Sequence, residues 1–145
     1  MHNDFYASGF LYHPKTQQIL LQQENTEELE PTWALFGGDS SGSETAEEAF
    51  KRIVHSALRL DLKPKAIFQI YNYFHDGKRK DSYVCYAKIR KLEKFQSNKK
   101  ITYSWFTFKE IQKLRIPEKV KQDIVVGQRV IDSAIRKSLG QQTIE

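Results

Sequence analysis

The stretch from Gly37 to Leu60, GGDSSGSETAEEAFKRIVHSALRL, constrains the fold of this chain more than any other. A glycine pair opens it, a polar loop follows, and Thr45 stands three residues before Glu48. That spacing is a capping box: the threonine hydroxyl accepts from the Glu48 backbone N–H while the glutamate accepts from that of Thr45. Apolar residues then recur at Ala46, Ala49, Phe50, Ile53, Val54, Ala57 and Leu58, which is the period of a helix with one buried face. Such a stripe needs a sheet or another helix to cover it. Pro64 in LKPK is the predicted stop.

Sheet material lies on both sides. FYASGFLYH and ILLQQ predict a hairpin over Phe5–Gln23 around a Pro-containing turn. WALF reads as a short strand running into Gly37 and Gly38. AIFQIYNYF and DSYVCYAKI flank HDGKRK, where Asp76-Gly77 signals a hairpin turn. ITYSWFTF is a predicted strand ending near Trp105, and FKEIQKL a short helix. Pro117 opens a longer helix over Glu118–Leu139, with Val120, Ile124, Val125, Val130, Ile131 and Ile135 at helical spacing. No repeat or linker divides the chain. Its 145 residues fit one domain over 1–145, of α/β class, with a mixed sheet and helices on its faces. Residues 140–145 are expected to form a flexible tail.

Composition narrows the function classes. No apolar run approaches the ~20 residues that span a bilayer, and MHNDFYASGF lacks a basic region followed by an apolar run, so a cytoplasmic protein with no membrane partner is expected. Cys85 is the one cysteine, and its place in SYVCYAKI predicts a buried, inert thiol. No Cys/His spacing suits zinc. The net charge of +5 suits an anionic ligand.

The arrangement resembles the Nudix hydrolase superfamily, whose motif is G-x5-E-x7-R-E-U-x-E-E-x-G-U, with U a bulky aliphatic residue. Set on Gly38, it places Glu44 at the first acid, Arg52 at the arginine, and Val54 and Leu60 at the aliphatic positions. TWALFGG looks like the strand entering the loop, with Phe36 where proline is common, and YSWFTFKEIQKL is similar to the family's tryptophan strand and following helix. The resemblance covers nearly the whole chain. It implies a Nudix-like α/β/α sandwich with a mixed β-sheet, in which Gly37, Gly38, Glu44 and Arg52 keep the shape of loop and helix.

The chain also departs from that pattern. The family's glutamate after the arginine is Ile53 here, the paired acids are Ser56 and Ala57, the glycine near the helix end is Arg59, and a common loop acid falls near Ser41. In the family these helix carboxylates hold divalent cations that bridge a substrate pyrophosphate and activate water. At about 100° per residue, positions 53, 56 and 57 share about a third of the helix circumference, so three acids there would make one hard-oxygen patch. The resemblance therefore implies a degenerate motif. The expected function is binding of a small anionic ligand, nucleotide-like or pyrophosphate-containing, with weak or no hydrolysis and with no metal or cofactor. One alternative is an active hydrolase of nucleoside diphosphate derivatives that uses Mg or Mn, with Glu44 and Glu48 as catalytic candidates. A second is an RNA- or protein-binding module that reuses the fold. Whether the chain is an enzyme stays open.

Each residue also has a plainer reading. Glu48 and Arg52 fit an i,i+4 ion pair beside the capping box, Glu47 complements the helix dipole, Asp39 suits a turn, and His55 suits a solvated helix face. Trp33, Lys78, Arg79 and Lys80 are candidate ligand-binding residues, with Tyr71, Tyr73 and Phe74 near that hairpin tip. Trp33 and Trp105 also fit core packing. Lys88, Arg90, Lys91, Lys94, Lys99 and Lys100 form a second basic cluster that suits phosphate or RNA. A homodimer is a further expectation from the family.

Overall fold

A computed structural model describes residues 4–25 and 30–140. The outer part of the expected tail, 141–145, and residues 26–29 of the acidic loop lie outside it. Among the described residues the order is β1 (Phe5–His13), β2 (Gln18–Glu24), β3 (Trp33–Ala34), β4 (Phe36–Asp39), α1 (Ala46–Leu58), a 3-10 turn (Pro64–Ala66), β5 (Ile67–His75), β6 (Lys80–Lys88), β7 (Ile101–Thr107), α2 (Phe108–Ile111) and α3 (Glu118–Ser138).

The strands make one mixed sheet. β1 runs parallel to β6, from Phe5 opposite Asp81 to Tyr12 opposite Lys88. Its other edge pairs antiparallel with β4 through Tyr6–Gly9 and with β2 through Leu11–His13. β5 pairs with β6, and β2 also pairs with β3 and β7, all antiparallel. Gly9 allows the tight β1–β6 contact, because a Cβ there would come within 2.1 Å of the Cys85 carbonyl oxygen and 2.8 Å of the Phe50 ring.

Alternation along the strands splits the core between two faces. Ala7, Leu11, Cys85 and Ala87 pack with Ala49, Phe50, Ile53 and Val54 of α1. Phe10, Tyr12, Ile19 and Tyr86 pack with Ile111 of α2 and with Ile124 and Ile131 of α3. Each fully buried Leu, Ile, Val or Phe among them contributes about 1.5–3 kcal/mol. The result is the α/β/α sandwich with a mixed sheet. Burial pushes the Cys85 thiol up to about 12, which keeps it protonated and unreactive.

Three local expectations change. α1 stops at Leu58, well before Pro64, because Arg59 turns left-handed (φ 57°) and its N–H closes on His55 O at 2.8 Å. Pro64 instead opens the 3-10 turn. WALF is not one strand: the chain leaves β2 and takes up β1 as its partner, so the strand breaks at Leu35. The FKEIQKL helix is a single turn, headed by a second capping box in which Thr107 and Glu110 bond reciprocally.

Candidate functional site

The site grows from the capping box. Glu48 N–H donates to Thr45 Oγ1 at 3.1 Å, and Thr45 N–H donates to Glu48 Oε1 at 2.7 Å. With the helix start fixed, Glu44 points back along α1 to Arg52. The guanidinium donates from Nε to Glu44 Oε2 at 2.7 Å and from Nη2 to Oε1 at 3.0 Å. Ser41 N–H donates to the same Oε1 at 2.8 Å, and Arg52 Nη2 also reaches the Asp39 carbonyl at 2.8 Å. The hydrogen-bonded Arg52, helped by the Ser41 N–H, holds the Glu44 carboxyl below the usual carboxylate range. Arg52 thus pairs with Glu44 rather than with Glu48, whose carboxylate is turned toward the N-cap.

The loop is also tied to the sheet. Phe5 N–H donates to Ser40 Oγ at 3.0 Å, and Ser40 N–H donates to the Phe5 carbonyl at 2.8 Å. Gly38 faces α1, where a Cβ would stand 3.3 Å from Ile53 Cγ1, and Gly37 faces the opposite side, where a Cβ would stand 2.4 Å from the Tyr6 hydroxyl. A side chain at 37 would force Tyr6 to move, and one at 38 would press on Ile53, so the glycine pair gives the loop its close approach to both.

Ile53 is 8% exposed and belongs to the core beneath α1. Ser56 and Ala57 are exposed. Tyr103 borders them, donating its hydroxyl to the Ala57 carbonyl at 3.4 Å and stacking on Phe36 with ring centroids 6.0 Å apart. The three side chains at 53, 56 and 57 offer one neutral hydroxyl and no carboxylate, so they do not fit a divalent cation. Among the described residues no three His, Cys, Asp or Glu side chains gather in a way that could hold a metal ion.

The ligand candidates are distributed differently. Lys80 Nζ meets Asp39 Oδ1 at 3.2 Å, and Lys78 Nζ sits 4.2 Å from the centre of the Tyr6 ring. The β5–β6 hairpin tip, with Arg79 in a left-handed conformation at φ 54°, therefore reaches the start of the motif loop. Trp33 lies apart, half-buried edge-to-face on Phe106 with centroids 4.8 Å apart. Trp105 donates its indole N–H to the Glu93 carbonyl at 2.7 Å. The role of Asp39 as a joint between loop and hairpin was missed in the sequence. Its single clue was position, immediately after the glycine pair.

Two clefts flank α1. One, of about 470 Å³ at the helix start, is edged by Asp4, Glu44, Glu47 and Asp81, and Gln69 donates to Glu47 there at 3.2 Å. The other, of about 780 Å³, lies beyond the helix end. Neither borders Ile53, Ser56 or Ala57.

No family model and no curated protein matches the chain by sequence. Solved structures do match it by shape. The NUDIX domain of Shewanella oneidensis NrtR, complexed with ADP-ribose, superposes with a TM-score of 0.68 at 14% identity, over 90% of each chain. A Caenorhabditis elegans Ap4A hydrolase in a binary complex gives 0.66 at 12% identity, over 88% of this chain and 98% of that one. A mutT/nudix family protein from Listeria innocua gives 0.63 at 17% identity, over 98% of this chain and 99% of that one. At such identities the likeness is one of architecture: the chain has the Nudix fold.

Proposed function

We propose that this domain binds a nucleotide-like or pyrophosphate-containing ligand through the Nudix loop, with weak or no hydrolysis. The observation that carries the reading is Ile53, buried against Gly38 at the position where a metal-holding glutamate stands in the family motif. Ser56 and Ala57 beside it supply no carboxylate. Hydrolysis of a diphosphate needs charge neutralisation on the phosphates and an activated water, and this helix face has no group for either. Binding needs less. The loop is held in shape by Glu44, Arg52 and Ser41 without a metal, and Lys78 and Lys80 stand beside its first residues. The ADP-ribose and Ap4A named for two similar structures support a nucleotide derivative as the ligand class.

The test is a panel of nucleoside diphosphate-linked compounds with Mg²⁺ or Mn²⁺, reading release of phosphate or monophosphate, alongside ligand-induced shifts in melting temperature. The expected result is stabilisation by some members without turnover. Turnover abolished by Glu44→Gln or Glu48→Gln would overturn the reading in favour of an active hydrolase.

A further inference from the structure

The larger cleft lies at the end of β1 remote from the motif loop. Lys15, Lys63, Lys65, Lys88, Arg90 and Lys91 line it, drawn from the β1–β2 turn, the segment after α1 and the end of β6. All six are exposed, and among the described residues none lies within ion-pair distance of a carboxylate. Two acids line the same cleft, Asp61 and Glu93, and Asp61 is already bonded to Lys51. Elsewhere Arg52, Lys80, Arg115 and Lys119 each have an acidic partner, and the other exposed cations outside the cleft, such as Lys109 and Lys113, do not line this hollow. Like charges gathered in a concave, partly apolar wall raise the local potential and repel one another, and a multiply charged anion relieves both effects.

The cationic stretches are held in place. His13, 5% exposed, bonds through Nε2 to the Arg90 carbonyl at 2.9 Å and through Nδ1 to Thr16 Oγ1 at 2.8 Å. Thr16 N–H also points at Nδ1. A neutral ring protonated on Nε2 satisfies all three contacts at once. One buried side chain therefore fixes both the turn that carries Lys15 and the segment after β6 that carries Arg90 and Lys91. Leu60, Leu62 and Ile89 add apolar wall. Phe68, 37% exposed, stacks on Tyr86 at 5.2 Å and carries Lys88 Nζ 5.1 Å from its ring centre, a cation that a bound planar group would share or displace.

We infer that this cleft binds a compact, multiply phosphorylated molecule of the nucleotide class, with its phosphates among Lys63, Lys65, Arg90 and Lys91 and its planar body against Phe68. The size falls within the usual range for small-ligand sites, and the cations surround a hollow instead of tracking along a groove as for an extended nucleic-acid strand. The inference is independent of the reading of the Nudix loop.

The test uses inorganic tripolyphosphate and ATP, each in EDTA at low and at ~0.15 M salt, with affinity from calorimetry and stability from thermal melting. Wild type should bind both. A Lys63→Gln/Arg90→Gln variant should bind both at least tenfold more weakly and, without ligand at low salt, melt higher than wild type. A Lys109→Gln/Lys113→Gln variant with the same change in charge should keep wild-type affinity. Phe68→Ala should weaken ATP and spare tripolyphosphate. No binding by wild type, or equal binding by the Lys63/Arg90 variant, would overturn the inference. So would an oligonucleotide affinity that exceeds that of ATP and grows with strand length, which would point to a nucleic-acid track. ATP binding lost in Glu44→Gln but retained in Lys63→Gln/Arg90→Gln would place the ligand at the Nudix loop and equally overturn it.

Discussion

The side chain of Ile53 lies so close to Gly38 that a Cβ on the glycine would stand 3.3 Å from Ile53 Cγ1. Replacing Ile53 by Glu puts a charge into that apolar contact, and the expected loss is about 2–4 kcal/mol. The triple variant Ile53→Glu/Ser56→Glu/Ala57→Glu should melt lower than wild type in EDTA, because three acids repel on one helix face. Millimolar Mg²⁺ should raise its melting temperature by several degrees and leave wild type unmoved. A rise in wild type of the same size would show a metal site that this helix face does not explain.

Glu44 ties loop to helix, and Glu44→Gln should lower stability by about 1 kcal/mol by removing a charge-assisted pair. Its folded pKa is depressed, so its contribution is present above the ordinary carboxyl pKa and is lost as pH falls through the folded value. Chemical denaturation across the acid range should give a flatter pH dependence for the variant than for wild type.

Tyr71 and Asp123 carry the opposite sign. The Tyr71 hydroxyl donates to Asp123 Oδ1 at 2.5 Å, and Lys119 Nζ lies 3.8 Å from that oxygen. Asp123 is 3% exposed, and burial raises its pKa despite both partners. The stability linked to this group is therefore complete below the unfolded pKa and falls as pH rises through the folded value. Tyr71→Phe should cost about 1–3 kcal/mol near neutrality by leaving the buried carboxylate short of a donor. Asp123→Asn should cost less, and in the Tyr71→Phe background it should recover stability. Equal losses in all three variants would sink this account.

Arg59 holds a left-handed backbone at φ 57°, a conformation that disfavours a residue with a Cβ by roughly 1–2 kcal/mol. Arg59→Gly should stabilise the domain by up to about 1 kcal/mol after the extra chain entropy of glycine is counted. Thermal melting checks this, and a lower melting temperature would mean that the arginine side chain contributes more than its backbone costs.

Local chemistry was the legible part of this molecule. Thr45 and Glu48 announce their capping box because all its atoms lie within four residues, and the period of α1 and α3 follows from which side chains must be covered. The Nudix spacing of Gly38, Glu44 and Arg52 was visible as a resemblance. What stayed hidden was made by long-range pairing. Tyr71 and Asp123 are 52 residues apart, and no spacing rule joins them. Lys15, Lys65 and Arg90 become neighbours only when the ends of β1, β5 and β6 are brought to one side of the sheet. Leu35 breaks a strand because of which partner each half finds. Arg59 ends a helix before the proline that looked like its stop, because a backbone bend can satisfy the last carbonyls sooner.

Asp39 belongs to two assemblies at once. Its backbone carbonyl serves Arg52 on the helix, while its carboxylate serves Lys80, 41 residues further along the chain. Each bond is modest and partly open to water, and the two together predict that the loop and the hairpin tip open as one unit. Amide exchange at Ser41–Thr45 and at Lys78–Lys80 should then share a common protection, and loosening either segment should be felt in the other. A molecule seated on the loop would in this way be felt in the neighbouring hairpin tip, which joins the loop through the Asp39 carboxylate and the Tyr6 ring.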